Sequence, residues 1–256
     1  MSVSRINTSV PQLTGVVTAT TGSPLVSFYT GDGTNGTNGT KYAVYEFIGT
    51  GSITLSASTT VEYLYIAGGG GSNYSGGGGA GGYLTGSTSL ASGSTSITVG
   101  GGGTAGASNT NGSNTVLGAL TTAVGGGKNA ATGASGGSGG GTTGGNPSTG
   151  GAGTAGQGYA GGNCNINSTP SGGGGAGGAA LTTYNTSYFN CGGVAAYSYI
   201  TGKYESYGWG GMSQYSSADW FRPRVNRGDG GSGTLGSVAA TGTGGSGVVI
   251  LRFVVT

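Results

Sequence analysis

The stretch GGGGAGG at residues 76–82 decides how this chain is read, and it returns letter for letter at residues 172–178. Between the two lies GGSGGGTTGG at residues 136–145. Glycine supplies 66 of the 256 residues, several times the usual ~7%. Such runs have no side chain to bury and lose the most backbone entropy on ordering. They either stay disordered or pack backbone directly against backbone. A packed solution exists. A polyproline-II thread has three residues per turn, rises about 3.1 Å per residue and makes no internal hydrogen bonds. Its N–H and C=O groups must therefore be satisfied by neighbours, and glycine lets the neighbours approach closely enough. Runs near 68–71, 76–82, 100–103, 125–127, 133–145, 150–162, 172–178 and 228–233 are enough to form a bundle of such threads.

Composition favours the packed alternative. Disordered chains combine low hydrophobicity with high net charge, whereas here the net charge is +2 and true strand-like segments are present. So small a charge gives no reason to expect nucleic acid or an anionic membrane as partner. No apolar run approaches the ~20 residues of a membrane helix. The first fifteen residues lack the apolar stretch of a signal peptide, so folding in the cytosol of the producing cell is expected. Glycine interrupts every helical window. The chain reads as all-β with extended threads and essentially no α-helix.

Residues 1–40 are polar and turn-rich, with Pro11, Pro24 and the run GDGTNGTNGT at 31–40; they read as an N-terminal joining segment. KYAVYEFI (41–48) and SITLS (52–56) flank a short GTG and look like a hairpin. In VEYLYIA (61–67), Val61, Tyr63 and Tyr65 face one way, and Glu62, Leu64 and Ile66 the other. TSITV (95–99) and NTVLGALTTAV (114–124) are weaker strand candidates. VVILRFVV (248–255) is the most apolar stretch and should be a buried strand closing a β-sandwich. The expected division is 1–40 for joining, 41–124 with 246–256 for the sandwich, and 125–245 for the polyglycine bundle.

Half of all the aromatics fall in residues 184–221, followed by Arg222, Arg224 and Arg227. Tyr, Trp and Arg dominate binding hot spots, and Tyr with Ser, Gly and Asn is the composition of adaptable paratopes. The stretch 184–227 therefore reads as loops at the end of the bundle that touch a ligand. Tyr204, Tyr207, Trp209, Tyr215, Trp220, Phe221 and Arg222 are the candidate contact residues. The competing reading is a local core, which the aromatics would supply because glycine cannot.

Other chemistry finds little support. Histidine is absent, which excludes His-based triads and most zinc sites; no cofactor or metal is expected. Glu205 and Asp219 form the sole pair of acids in the aromatic segment that could serve a glycosidase. Gly127–Lys128 lacks the rest of a phosphate loop, with Thr122 where glycine is needed and Asn129 where Ser or Thr is. Arg227–Gly228–Asp229 spells an RGD tripeptide beside a glycine run and reads as coincidence. A bridge between Cys164 and Cys191 would contribute about 3–4 kcal/mol, but cytosolic folding argues for free thiols.

The ordered motifs VEYLYIAGGGGS, GGGGAGGYLTG, SITVGGGGTAG, GSNTVLGALTTAVGGG and GGSGVVILRF cover about 41–130 and 228–255. They resemble the glycine-rich domain common in bacteriophage tail-fibre and adhesin proteins. The resemblance implies a virion protein of the tail, made in the host cytoplasm. It also implies a polyglycine-II scaffold whose distal loops touch a host surface glycan or outer-membrane protein. Other tail proteins would bind the N-terminal segment. Fibres use cyclic symmetry, so a homotrimer is expected, with a monomeric tip as the second assembly. The alternatives are a purely structural virion protein without a receptor, a tail-associated hydrolase, and an ice-binding protein. The last would need glycine at every third residue, which the runs do not keep.

Overall fold

The computed structural model describes residues 16–73, 75–145, 147–165, 169–182, 191–213, 222–233 and 242–255. Eleven strands are named among them: β1 (Val17–Thr21), β2 (Leu25–Thr30), β3 (Lys41–Phe47), β4 (Gly51–Leu55), β5 (Thr59–Ile66), β6 (Tyr83–Leu90), β7 (Gly93–Thr98), β8 (Val116–Leu117), β9 (Ala196–Ser198), β10 (Glu205–Tyr207) and β11 (Val248–Val254). The chain is all-β. One antiparallel sheet has the order β2-β3-β11-β5-β6, a second has β1-β4-β7-β8, and β9 with β10 forms a small third.

The terminal strand takes the position its apolar sequence demands. β11 lies in the middle of the five-stranded sheet, paired to β3 from Val249↔Phe47 and to β5 from Val248↔Ile66. Its two faces enter different cores. Val249, Leu251 and Phe253 join Tyr45, Phe47, Ile53, Leu55, Tyr65 and Ile97 between the two large sheets. Tyr45 and Phe253 meet there edge to face at 5.5 Å, the geometry that aromatic quadrupoles favour. Val248 and Ile250 point the opposite way, with Val44, Leu64 and Ile66, against Tyr207 of β10 and Ile200 of the β9–β10 turn. The alternation read in residues 61–67 holds: Val61 and Tyr65 lie in the first core, Leu64 and Ile66 in the second.

Two expectations about the sandwich need correction. β3 and β4 do not form a hairpin. β3 pairs with β2 and β11, and β4 with β1 and β7. The link at 48–50 crosses from one sheet to the other, which lets Phe47 and Ile53 face the same inter-sheet core. Nor are residues 1–40 wholly a joining segment. β1 and β2 supply an edge strand to each sheet, with Val17 buried in the core and Val26 packed against it. The Pro-flanked, turn-rich composition masked these short edge strands.

The glycine runs form a hydrogen-bonded lattice at one end of the sandwich. Ala67 N–H donates to Gly82 O (3.1 Å), continuing the β5–β6 ladder into it. The amides of residues 77–82 then donate in rotation. Gly77 and Ala80 bond Ser171 and Gly174; Gly78 and Gly81 bond Gly231 and Gly228; Gly79 and Gly82 bond Gly127 and Val124. The carbonyls reach three further segments. Gly77 and Ala80 accept from Gly141 and Ser138, Gly78 from Gly211, and Gly79 and Gly82 from Gly70 and Ala67. A partner direction that repeats every third residue is the signature of a three-residue-per-turn thread, and six neighbouring segments surround it. All six belong to the same chain, so this packing needs no second copy. Runs 68–71, 76–82 and 100–103, which link sandwich strands, enter the lattice along with residues from 125 onward.

The close approach explains the composition. A Cβ at Gly77 would lie 1.9 Å from Gly211 O, and one at Gly81 2.0 Å from Ala67 O. The alanines mark the exception. Gly208, at φ +72°, leaves space where the methyls of Ala80 and Ala176 converge near Ile66. These two alanines hold the same place in the two copies of GGGGAGG. Cys164 is buried and Cys191 exposed, and no disulfide joins them.

Candidate functional site

The β9–β10 hairpin carries the most exposed aromatics in the described part of the aromatic segment. Its strands pair Glu205↔Ser198, Ser206↔Tyr197 and Tyr207↔Ala196. Strand alternation sends Tyr207 inward and Tyr197 outward. At the turn, Gly202 adopts φ +82° and donates its N–H to Tyr199 O (2.8 Å). On the outer side, Tyr204 stacks on Tyr197 (5.0 Å, 11°) and packs against Tyr199 (4.8 Å, 35°). Their exposures are 47% for Tyr197, 37% for Tyr199 and 61% for Tyr204. Exposed apolar residues scattered singly are ordinary; a contiguous exposed cluster is less so.

The hairpin is fixed from beneath. Arg227 binds Glu205 (2.9 Å) and Glu46 (3.3 Å), tying the hairpin to β3, and its guanidinium lies 4.9 Å over the Tyr207 ring. Glu205 also accepts from Thr201 Oγ1 (2.8 Å) and Tyr207 Oη (3.0 Å). Burial pushes the Glu205 carboxyl up, but the Thr201 hydroxyl, Arg227 and the Tyr207 hydroxyl outweigh it and hold the group below its ordinary value. Burial, reinforced by the Glu205 charge, pushes the Tyr207 hydroxyl far up.

The loop at 31–40 braces the other side. Asp32 accepts the amides of Thr34 (2.8 Å) and Asn35 (3.1 Å), and these bonds lower its carboxyl from its ordinary value. Asn35 Nδ2 donates to Gly202 O (3.1 Å), binding the loop to the hairpin turn. Tyr29 donates to Asn35 O (2.8 Å) and its ring underlies Gly202, where a Cβ would come within 2.7 Å of it. Arg252 joins these parts: it pairs with Glu62, donates to Tyr29 Oη (2.5 Å) and Asn35 O (2.7 Å), and sits 4.6 Å over the Tyr42 ring. Between hairpin, loop, β5 and β6 opens a cavity of about 400 Å³, which Tyr199 lines together with Thr34, Glu62, Thr85, Ser198 and Arg252.

The sequence candidates separate clearly. Tyr204 lies on the exposed stack. Tyr207 is fully buried and so is a core residue, not a contact residue; strand alternation places it beneath the hairpin. Trp209 is half-buried, its Nε1 donating to Ser206 (3.3 Å) and its amide to Asp229 (2.9 Å). Arg222 is exposed but is not part of the tyrosine stack. Tyr215, Trp220 and Phe221 lie outside the described residues. Asp219, the proposed partner of Glu205 in a hydrolase, lies outside them too. Asp229 is fully buried, accepting from Arg224 Nε (2.7 Å), Trp209 N and Arg224 N. The RGD tripeptide is therefore not presented to a receptor. Composition did not single out Tyr197 and Tyr199 within the aromatic segment, and it marked the loop at 31–40 only as a turn-rich part of a joining segment. The Asp-Gly and Asn-Gly pairs of that loop were the available sign that it folds tightly.

A family model described as a glycine-rich domain matches residues 46–254, and the chain belongs to that family. The match begins inside β3 and ends with β11, so it takes in the sandwich, the lattice and the hairpin together. No curated protein matches the chain.

Proposed function

We propose that the protein is a non-enzymatic adhesin of a bacteriophage tail, at the tip or on a short fibre, recognising a receptor on the host surface. The exposed stack of Tyr197, Tyr199 and Tyr204 carries this reading. Tyrosine gives large contact area at low entropic cost because it has only two side-chain torsions. Here the rings already lean on one another, and the hairpin beneath is clamped by Arg227 and Asn35. A surface ordered before binding loses less entropy on binding. The lattice supports the same reading, since a scaffold bonded along every thread holds the contact surface in place. The receptor is a surface glycan or an outer-membrane protein. Other tail proteins attach through the N-terminal residues, and in a homotrimer three weak contacts would combine into avidity.

Competition for host cells tests this. Excess purified protein should block adsorption of the phage that carries it. Tyr204→Ala, which removes the shared partner of both ring contacts, should abolish the block while leaving the melting temperature within about 2 °C. Full blocking by a folded Tyr204→Ala protein would refute the assignment of this surface.

A further inference from the structure

The cavity beside the tyrosine stack has a built character of its own. Five pieces of chain converge on it: the loop at 31–40, β5, β6, the hairpin and, through Arg252, β11. Their convergence is secured by Asn35 bonding the hairpin turn and by Arg252 bonding Tyr29, Asn35 and Glu62. At about 400 Å³ it falls at the small end of ligand sites, which run ~300–1,000 Å³. Polar groups dominate its lining, with two aromatic residues, Tyr63 and Tyr199, among them.

The charge of the lining is balanced. Arg252 is the sole cation on the wall and is already paired with Glu62, the sole anion. An anionic ligand would meet a guanidinium whose two terminal nitrogens already have carboxylate, hydroxyl and carbonyl partners and whose unpartnered Nε is buried, and it would itself lie against Glu62. Like charges brought together in a partly desolvated site repel. A ligand rich in hydroxyls and without charge faces no such cost. The Thr34 hydroxyl offers a donor, the Thr85 hydroxyl, which donates to Tyr63 O (3.0 Å), and the half-exposed Glu62 offer acceptors, and the electron-rich ring face of Tyr199 suits the C–H face of a pyranose.

We infer that this cavity seats one or two units of a neutral saccharide, with Tyr199 joining it to the tyrosine stack along which the rest of the glycan runs. The inference rests on the adhesin reading and names the receptor chemistry for it: an uncharged surface glycan.

The test uses the full chain and saturation-transfer NMR with titration. The probes are neutral di- to tetrasaccharides of glucose, galactose and N-acetylhexosamine, set against matched oligosaccharides containing a uronic acid. At least one neutral oligosaccharide should bind, more tightly than its uronic counterpart. Thr85→Trp places a large ring in the cavity from an exposed position on β6, where Trp suits a strand. It should weaken that binding at least about tenfold with the melting temperature retained. Thr34→Trp, from the opposite wall, should do the same, so the test survives if either variant fails to fold. Preference for the uronic probes, absence of neutral binding at millimolar concentration, or wild-type affinity in a folded Thr85→Trp protein would each overturn the inference. The adhesin reading fails separately: it falls if excess wild-type protein does not block adsorption, whatever the saccharide result.

Discussion

Replacing Gly78 by alanine adds a single methyl, yet it should come near to unfolding the protein. A Cβ at Gly78 would sit 2.1 Å from Gly70 O and 2.7 Å from Gly70 C. Non-bonded heavy atoms rest at about 3.5–4.0 Å, so the two threads must part by about 1 Å or more. Both obstructing atoms are backbone, and neither can rotate away. The thread cannot move alone either. Gly78 N–H donates to Gly231 O (2.7 Å), Gly231 N–H to Gly70 O (2.8 Å), Gly70 N–H to Gly79 O (2.8 Å) and Gly211 N–H to Gly78 O (2.9 Å). Parting the threads breaks two or three of these. At about 2 kcal/mol for each buried group left unpaired, this gives about 4–6 kcal/mol against a typical total stability of ~5–15 kcal/mol. With a urea slope of ~2–3 kcal/mol/M, the midpoint should fall by about 1–3 M. The control is Gly101→Ala. Gly101 also belongs to a glycine run, but its Cβ would meet nothing within 4 Å and its φ is not positive. That change should be neutral or stabilise by ~0.4–1 kcal/mol through the unfolded chain. Urea titrations of the two variants decide the matter. Unfolding free energies within about 0.5 kcal/mol of each other would show that the threads are not bonded side by side, and the account of the lattice would fail.

Three further outcomes follow from the same geometry. Tyr207→Phe removes the hydroxyl that donates to Glu205 (3.0 Å) and should lower stability by about 1–2 kcal/mol while leaving receptor binding intact; loss of binding in a stable variant would contradict its place in the core. Glu205 has its carboxyl below the ordinary value of 4.5 in the folded protein. Its contribution is therefore present above that pH and lost as pH falls through the lower folded value. Melting temperatures taken from pH 6 to pH 3 should drop less in Glu205→Gln than in the wild type; parallel curves would remove Glu205 from the acid response. Hydrogen exchange should protect the amides of residues 77–82 nearly as well as those of β11, because each has a lattice acceptor, whereas exchange at random-coil rates would deny the lattice.

Much of the fold could be read from individual residues. VVILRFV has no polar position until Arg252, so both of its faces had to be covered, and β11 duly lies between β3 and β5 with a core on each side. The alternation Val61-Tyr63-Tyr65 against Leu64-Ile66 assigned those side chains to opposite faces. The site was less legible. Composition marked the aromatic segment but could not tell Tyr207 from Tyr204, because three-residue strands are too short for a pattern of alternation to stand out. Asn35 and Thr34 sit in a polar loop whose role comes from a bond to Gly202, 167 positions away.

What the sequence alone determined was a set of necessities. Side-chain-free runs must find backbone partners, doubly apolar strands must be buried twice, and a chain without histidine cannot use it. These follow from the chemistry of single residues and their spacing. Only the tertiary structure decided the partners. It set which six segments surround residues 76–82, sent β3 and β4 into different sheets, and turned three tyrosines outward, with Tyr199 also lining a polar cavity. The physical reason is that glycine threads are nearly identical to one another. Nothing in their letters distinguishes one neighbour from the next, so the arrangement depends on the sandwich strands that anchor their ends and on the few side chains among the glycines, such as Ala80 and Ala176, whose methyls need the space left at Gly208.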